Sequence, residues 1–537
     1  MKILKRLQLS VRFLCILSLV SLVIIPITAF AETANLTILH TNDHHGHFAK
    51  FNPYPVMDVG GMAAQSTLIN IVRAEVEKKG GHVLLLSAGD INTGIPESDL
   101  LDAEPDVKIM NILGYDAMTL GNHEFDNSRD VLLKQQEWAE FPFLSANIVK
   151  KDSGEPLVEP YIIKEFDGLK VAILGLTTEE TPILTLPENT ADLEFKSVIK
   201  TAQELVPVLR EKADLVVVLT HLGFYEEAGG GYNSPGDIKL AQEVPGIDII
   251  VGGHSHTFIK EAQKVGDALI VQAGAYSESV GRLDLTIDTE ANKVTDYTYR
   301  LIPVNMKKRV KYNGKKYYMF VDKGYVEDKE ILKALEPYVD QADELLTQPV
   351  GEALVELAGG KTTSRSQETN LGNLITDGMR AKTSAEIAFQ NGGGIRATIA
   401  PGPITYRDIL TVQPFGNTLV LLDMTGEQVM DVLNYAATIE PGNGGFLHVA
   451  GLKWTINRTK EPVVAENVMV GDAPIDLQRT YKVVTNNFMA SGGDGYKMLK
   501  DIPAVDTGFV DADATKEYIQ QFGKVEPKVE GRLTVVK

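Results

Sequence analysis

The chain has 537 residues and a mass of 58.7 kDa, with 44% hydrophobic and 23% charged residues and a formal net charge of −20. That length suits two or three domains, and the composition excludes disordered, collagen-like and coiled-coil chains. An acidic pI near 5.0 excludes the broad basic footprint of a protein that wraps a nucleic-acid polymer, but not a small anionic substrate met by a local metal or basic site.

Lys2, Lys5, Arg6 and Arg12 open the chain, the apolar run 13–27 follows, and Ala29-Phe30-Ala31 closes the segment. This is the pattern of an export signal cut after Ala31. Cutting there removes four basic residues and takes the net charge from −20 to −24. It also removes Cys15, the single cysteine, so the mature chain holds no disulfide and any metal must be bound by His, Asp, Glu, Asn or Gln. No later apolar stretch is long enough to span a bilayer. The expected product is exported, periplasmic or extracellular, and carries no membrane anchor after cleavage.

From residue 32 to 325, Val/Ile/Leu-rich runs alternate with segments of helical spacing. The runs 36–40, 83–87, 169–176, 215–220, 247–251 and 268–273 read as buried strands, and 64–78 and 201–212 as helices. Such alternation argues for an α/β layered domain. Over 326–348, Leu332, Leu335, Val339 and Ala342 recur at helical steps and predict a linker helix that Pro337 bends or splits. Residues 349–537 form a second block, Gly-rich at 391–394, 442–445 and 492–495, with one histidine, His448.

Nine of ten histidines lie before residue 257, and most follow directly on predicted strands. The clusters read HTNDHHG (Asp43, His45), GNHE (Asn122, His123), THLG (His221) and GGHSH (His254, His256), and Ser87-Ala-Gly-Asp90 has the same strand-then-turn form. Ligands collect at the carboxyl ends of strands in open α/β sheets. Imidazole and carboxylate suit divalent first-row metals. About seven candidate ligands are too many for one tetrahedral ion and enough for two ions sharing a carboxylate. Such a pair can clamp a phosphoryl group and activate water between the ions.

These motifs, in this order, resemble those of the calcineurin-like metallophosphoesterases. The strings ILHTNDHHGHF, LLLSAGDINTGIPESDLLDAEPD, GYDAMTLGNHEFDN and LSANI are similar to the 5′-nucleotidase family within that class. The resemblance covers nearly the whole mature chain. It implies a calcineurin-like catalytic domain, a layered β-sandwich flanked by helices, joined by the linker helix to a C-terminal α/β domain that binds the nucleotide. It implies two divalent ions (Zn, Mn or Co). Asp43, His45 and His256 hold one, Asn122, His221 and His254 the other, and Asp90 bridges them. His123 stabilises the phosphoryl transition state and Asp126 orients it. His256 stands where bacterial relatives are expected to carry Gln.

In the second block, NLGNLI, NGGGIR, PFGN and SGGDGY occur in family order. The resemblance implies substrate contacts from Arg365, Asn391, Arg396, Phe415, Asn417, Phe488 and Asp494. Phe415 and Phe488 suit a base sandwich, the arginines suit phosphate, and Asp494 suits ribose hydroxyls. Lys361 stands where a further Arg is expected. The implied activity is hydrolysis of 5′-nucleotides and of UDP-sugars by in-line attack on phosphorus, with a large domain rotation and a monomeric enzyme. The alternatives are the same fold acting on 2′,3′-cyclic nucleotides, NAD or a sulfur ester, or a non-catalytic nucleotide-binding protein.

Overall fold

A computed structural model describes residues 33–51, 58–185, 187–227, 234–313 and 315–536. The export signal expected over residues 1–31 lies outside them, and so does the side chain of Lys361. No helix of the described residues is long and apolar enough to cross a membrane.

Among the described residues, twelve strands build the two main sheets of the first domain: β1 (Thr33–Thr41), β2 (His82–Ser87), β3 (Ala117–Thr119), β4 (Phe143–Leu144), β5 (Tyr161–Phe166), β6 (Leu169–Thr177), β7 (Leu215–His221), β8 (Ile249–Gly252), β9 (Gln263–Val265), β10 (Ala268–Gln272), β11 (Ser279–Asp288) and β12 (Lys293–Pro303). They form two six-stranded sheets, ordered β12-β11-β1-β2-β3-β4 and β9-β10-β8-β7-β6-β5. The strands β1, β2, β3 and β4 pair in parallel, as do β6, β7, β8 and β10.

The sheets pack face to face on a shared core of Ile38, Leu84 and Leu86 from one side and Val171, Ile173, Val217, Leu219, Ile249 and Val251 from the other. The alternate residues Leu39 and Leu85 turn outward and are covered by helix Met62–Lys78. Ala172, Val216 and Val218 do the same under helix Val198–Arg210. Both faces of each central strand are therefore buried, which is why these strands read as unbroken aliphatic runs.

A two-stranded ribbon, β13 (Lys307–Tyr312) and β14 (Lys315–Phe320), leaves the first domain after β12. Helix Lys329–Thr347 follows, capped by Asp328, whose side chain accepts from the Glu330 amide at 2.9 Å. The helix runs through Pro337 without a break, so the proline does not split it. Pro337 and the Lys333 carbonyl it frees lie on the exposed side. Ile331 and Leu335 are anchored in the first domain's core and Leu346 in the second's, and this packing outweighs the proline's cost of about 3 kcal/mol. The apolar stripe is also shifted from that read in the sequence. Ile331, Leu335, Ala342 and Leu346 are buried, whereas Leu332 and Val339 face outward.

The second domain centres on a five-stranded sheet of β15 (Ile387–Asn391), β16 (Thr418–Thr425), β17 (Leu447–Ala450), β18 (Thr480–Asn486) and β19 (Ala504–Val510), ordered β17-β15-β18-β16-β19. Helices Asn370–Thr383 and Asp511–Phe522 cover one face, and helix Gly426–Thr438 the other.

Candidate active site

The carboxyl ends of β1, β2, β3, β7 and β8 converge where the two sheets meet, and each releases its polar residues there. Asp43 and His45 follow β1, Asp90 follows β2, Asn122 and His123 follow β3, His221 ends β7, and His254 and His256 follow β8. Asp43, His45, Asp90, His254 and His256 all adopt left-handed backbone, with φ between 48° and 75°. That conformation costs a non-glycine residue of order 1 kcal/mol or more and is held by surrounding bonds. The Asp43 and His45 amides donate to the carbonyls of Gly89 and Asp90 at 2.9 and 3.1 Å, and the His254 amide donates to both Asp43 carboxylate oxygens at 3.1 Å.

The side chains form three overlapping groups whose ligand atoms lie within 4.8 Å of one another: Asp43/His45/His256, His45/Asp90/His123 and Asp90/His221/His254. Asp90 Oδ2 stands 2.9 Å from His221 Nε2 and 3.9 Å from both His45 Nε2 and His123 Nε2. Asp43 Oδ1 is 3.3 Å from His256 Nε2, which is 3.0 Å from His45 Nε2. Backbone carbonyls fix the outer nitrogens. His221 Nδ1 bonds the Ala88 carbonyl at 2.7 Å, and His45 Nδ1 the Thr93 carbonyl at 2.8 Å. With Nδ1 as donor, each Nε2 is left free to ligate. Asn122 Oδ1 is buried without a hydrogen-bond partner.

This donor set fits divalent cations. A ligating imidazole must be neutral. Burial, followed by neighbouring His123 and His256, pulls His45 down to about 3. Burial would also lower His221 and His256, but Asp90 outweighs it at His221, raised to about 9, and Asp43 at His256, so a cation taken up between these carboxylates displaces a proton from each ring. Burial pushes Asp90 upward, but His221 and His123 outweigh it and hold its carboxyl well below the ordinary value. The orphaned Asn122 oxygen supplies a neutral donor beside Asp90.

His123 Nδ1 lies 2.6 Å from Asp126 Oδ2, and Thr93 Oγ1 donates to that same oxygen at 2.6 Å. Burial alone would lower His123, but Asp126 and then Asp90 outweigh it and raise its pKa to about 10. Gly121 allows the Asp90 and Asn122 loops to close, since a Cβ there would fall 2.0 Å from Asp90 Oδ1.

Several residues at the site carried no role in the sequence reading. The Glu124 carboxylate accepts from the amides of Gly121, Asp90 and Ile91 at 2.6, 3.0 and 2.9 Å, tying two ligand loops together. Its place in GNHE was the available signal. Glu180 Oε2 lies 3.7 Å from His254 Nε2. Asp506 and Gly508, from β19 of the second domain, line the same cavity of about 890 Å³ as His45, Asp90, Asn122, His123, His254 and His256. No local motif marks either of them.

Of the expected substrate residues, Phe415 and Asn417 line this cavity, whereas Arg365, Asn391, Arg396, Phe488 and Asp494 do not. The latter belong to other segments of the second domain, Asn391 at the end of β15 and Phe488 in the short helix Asn487–Ala490 among them. Asn391 Nδ2 donates to Asp494 Oδ2 at 2.8 Å, and the Arg396 guanidinium stands 5.6 Å from the Phe415 ring centre. Phe415 and Phe488 are 48% and 44% exposed. Arg365 Nε is buried without a partner.

The family model of calcineurin-like phosphoesterases matches residues 36–258, and that of the 5′-nucleotidase C-terminal domain matches residues 349–501. The chain is 43% identical over 512 residues to a 5′-nucleotidase of Vibrio cholerae, covering 91% of each. It is 40% identical over 521 residues to Protein UshA of Escherichia coli, covering 93% of each. The solved structure of Haemophilus influenzae NAD nucleotidase superposes with a TM-score of 0.77 at 27% identity, over 94% of this chain and 99% of that one. The chain belongs to the 5′-nucleotidase family of calcineurin-like metallophosphoesterases, with an N-terminal calcineurin-like domain and a C-terminal 5′-nucleotidase domain.

Proposed function

We propose that this protein is an exported, divalent-metal-dependent hydrolase that releases phosphate from 5′-nucleotides and cleaves UDP-sugars. The observation that carries this reading is the Asp90 carboxylate ringed by His45, His123 and His221 at the meeting point of five strand ends, in a chain whose second domain exposes the rings of Phe415 and Phe488. Asp43, His45 and His256 would hold one cation and Asn122, His221 and His254 a second, with Asp90 between the two sets. When bound, the ions supply a Lewis-acid clamp on phosphoryl oxygens and activate water at neutral pH.

The chain's own residues do the rest. His123, bonded through Nδ1 to Asp126, donates from Nε2 to the phosphoryl oxygen that gains charge. Asp126 fixes the ring through Nδ1, and Thr93 fixes Asp126. Phe415 and Phe488 stack the base, Arg365 and Arg396 neutralise phosphate, and Asp494, oriented by Asn391, accepts from the ribose. These groups surround more than the catalytic cavity, so the two domains must rotate about the helix Lys329–Thr347 to bring one nucleotide to both sets.

The likeness to an NAD nucleotidase favours a second reading, cleavage of a dinucleotide pyrophosphate at the same site. Product analysis separates the two. With AMP, UDP-glucose and NAD offered in parallel to the Mn-loaded enzyme, phosphate from AMP and UMP from UDP-glucose support the first reading. Turnover of NAD with neither of the others supports the second.

A further inference from the structure

The ribbon β13–β14 sets itself apart from the rest of the acidic chain. Between residues 307 and 323 lie seven Lys or Arg and a single acid, Asp322. Ten of the twelve residues in the two strands are exposed. The register pairs Lys308 with Met319, Val310 with Tyr317 and Tyr312 with Lys315 on one face, and Lys307 with Phe320, Arg309 with Tyr318 and Lys311 with Lys316 on the other. Tyr312 is 67% exposed and Met319 59%. Among the described residues, no acidic side chain is placed against Lys308, Arg309, Lys311, Lys315 or Lys316.

An isolated two-stranded ribbon with aromatic and methionine side chains bare on both faces is marginal in water. Four kinds of cover differ in how they fit this ribbon. A second copy would bring seven like charges against seven, which repels. A protein partner adding to one face would leave the apolar residues of the other in water. A nucleic acid would meet one Arg among the ribbon's six cations, on a chain whose remainder is strongly acidic. A lipid interface surrounds an inserted ribbon on both faces. It takes lysines at the headgroup phosphates and Tyr, Met and Phe at the acyl boundary.

We propose that the β13–β14 ribbon docks the protein reversibly onto an anionic lipid surface. The contact is peripheral and distinct from any membrane span, and it stands whether or not the nucleotide reading holds. The test is co-sedimentation of the chain from Glu32 onward with phosphatidylglycerol/phosphatidylcholine vesicles and with pure phosphatidylcholine vesicles, at low and high salt.

The wild type is expected to partition onto the anionic vesicles only, and to be released by salt. The variant K308Q/R309Q/K311Q/K315Q/K316Q is expected to lose binding by on the order of a thousandfold, since each basic residue near such a surface contributes about a fivefold factor. The variant Y312S/M319S/F320S is expected to lose binding while keeping its salt dependence. The melting temperature of both variants serves as the control for folding. Absence of wild-type binding to anionic vesicles would overturn the proposal with no variant needed. So would binding unchanged by both variants, or binding to a single-stranded oligonucleotide in place of vesicles.

Discussion

Gly508 of the second domain lies against the His123 ring of the first so closely that a Cβ at Gly508 would fall 1.8 Å from Cε1. Its φ of +69° adds a second requirement for glycine. This contact closes one side of the cavity and ties the arrangement of the two domains to the residue proposed to act on phosphate. Gly508→Ala is expected to break the contact and separate the domains. Small-angle scattering should then report a larger radius of gyration than for the wild type, and an unchanged profile would show that the contact does not hold this arrangement.

Asp126 acts through one short bond to His123. Asp126→Ala should lower kcat by roughly 10²–10⁴-fold with little change in KM, as expected when a positioned general acid loses its orienting partner. Steady-state kinetics on AMP decide this. A drop confined to KM would place Asp126 in substrate binding instead.

Phe415 and Phe488 each offer an exposed ring. Base stacking is worth roughly 1–3 kcal/mol, so Phe488→Ala should raise KM for AMP about 5- to 150-fold and leave phosphate release from p-nitrophenyl phosphate, which has no base, within about twofold. Equal losses on both substrates would argue for a packing role.

Asp106 is fully buried, accepts from Ser98 Oγ at 2.5 Å through Oδ2, and has no partner at Oδ1. Burial pushes its pKa up to about 7. The folded state therefore binds a proton that the unfolded state releases near pH 4. Stability is fully present below about pH 4 and falls as pH rises toward 7, by an amount on the order of a few kcal/mol. Asp106→Asn removes this titration. Between about pH 4.5 and about pH 7.5, its melting temperature should fall less than the wild type's, and parallel profiles would contradict the assignment.

Much of the site was legible in the sequence because β2, β7 and β8 are aliphatic runs that end directly in or just before the candidate ligands. Such runs need no distant information: Leu215–Thr220 delivers His221, and Ile249–Val251 delivers the Gly-Gly-His-Ser-His turn. Glu124 escaped assignment because it works through backbone amides of a loop more than thirty residues away. Gly508 and Asp506 escaped because the domain contact, and no local pattern, brings them to His123. The continuous helix through Pro337 was illegible because anchoring at both of its ends, a tertiary effect, decides it. The ribbon at 307–320 was overlooked for the opposite reason, since its charge is plain in the sequence but its exposure on both faces is visible only in three dimensions.

The central claim is that Asp90 joins two cation sets whose ions the reaction requires. The most direct measurement is phosphate release from AMP, with metal content determined alongside, for chelator-stripped wild type and Asp90→Asn protein reloaded with Mn, Co or Zn. The account predicts about two equivalents of metal and restored hydrolysis in the wild type, and lost metal with hydrolysis reduced by at least about a thousandfold in the variant. Full activity in the stripped wild type, or in the variant, would contradict it.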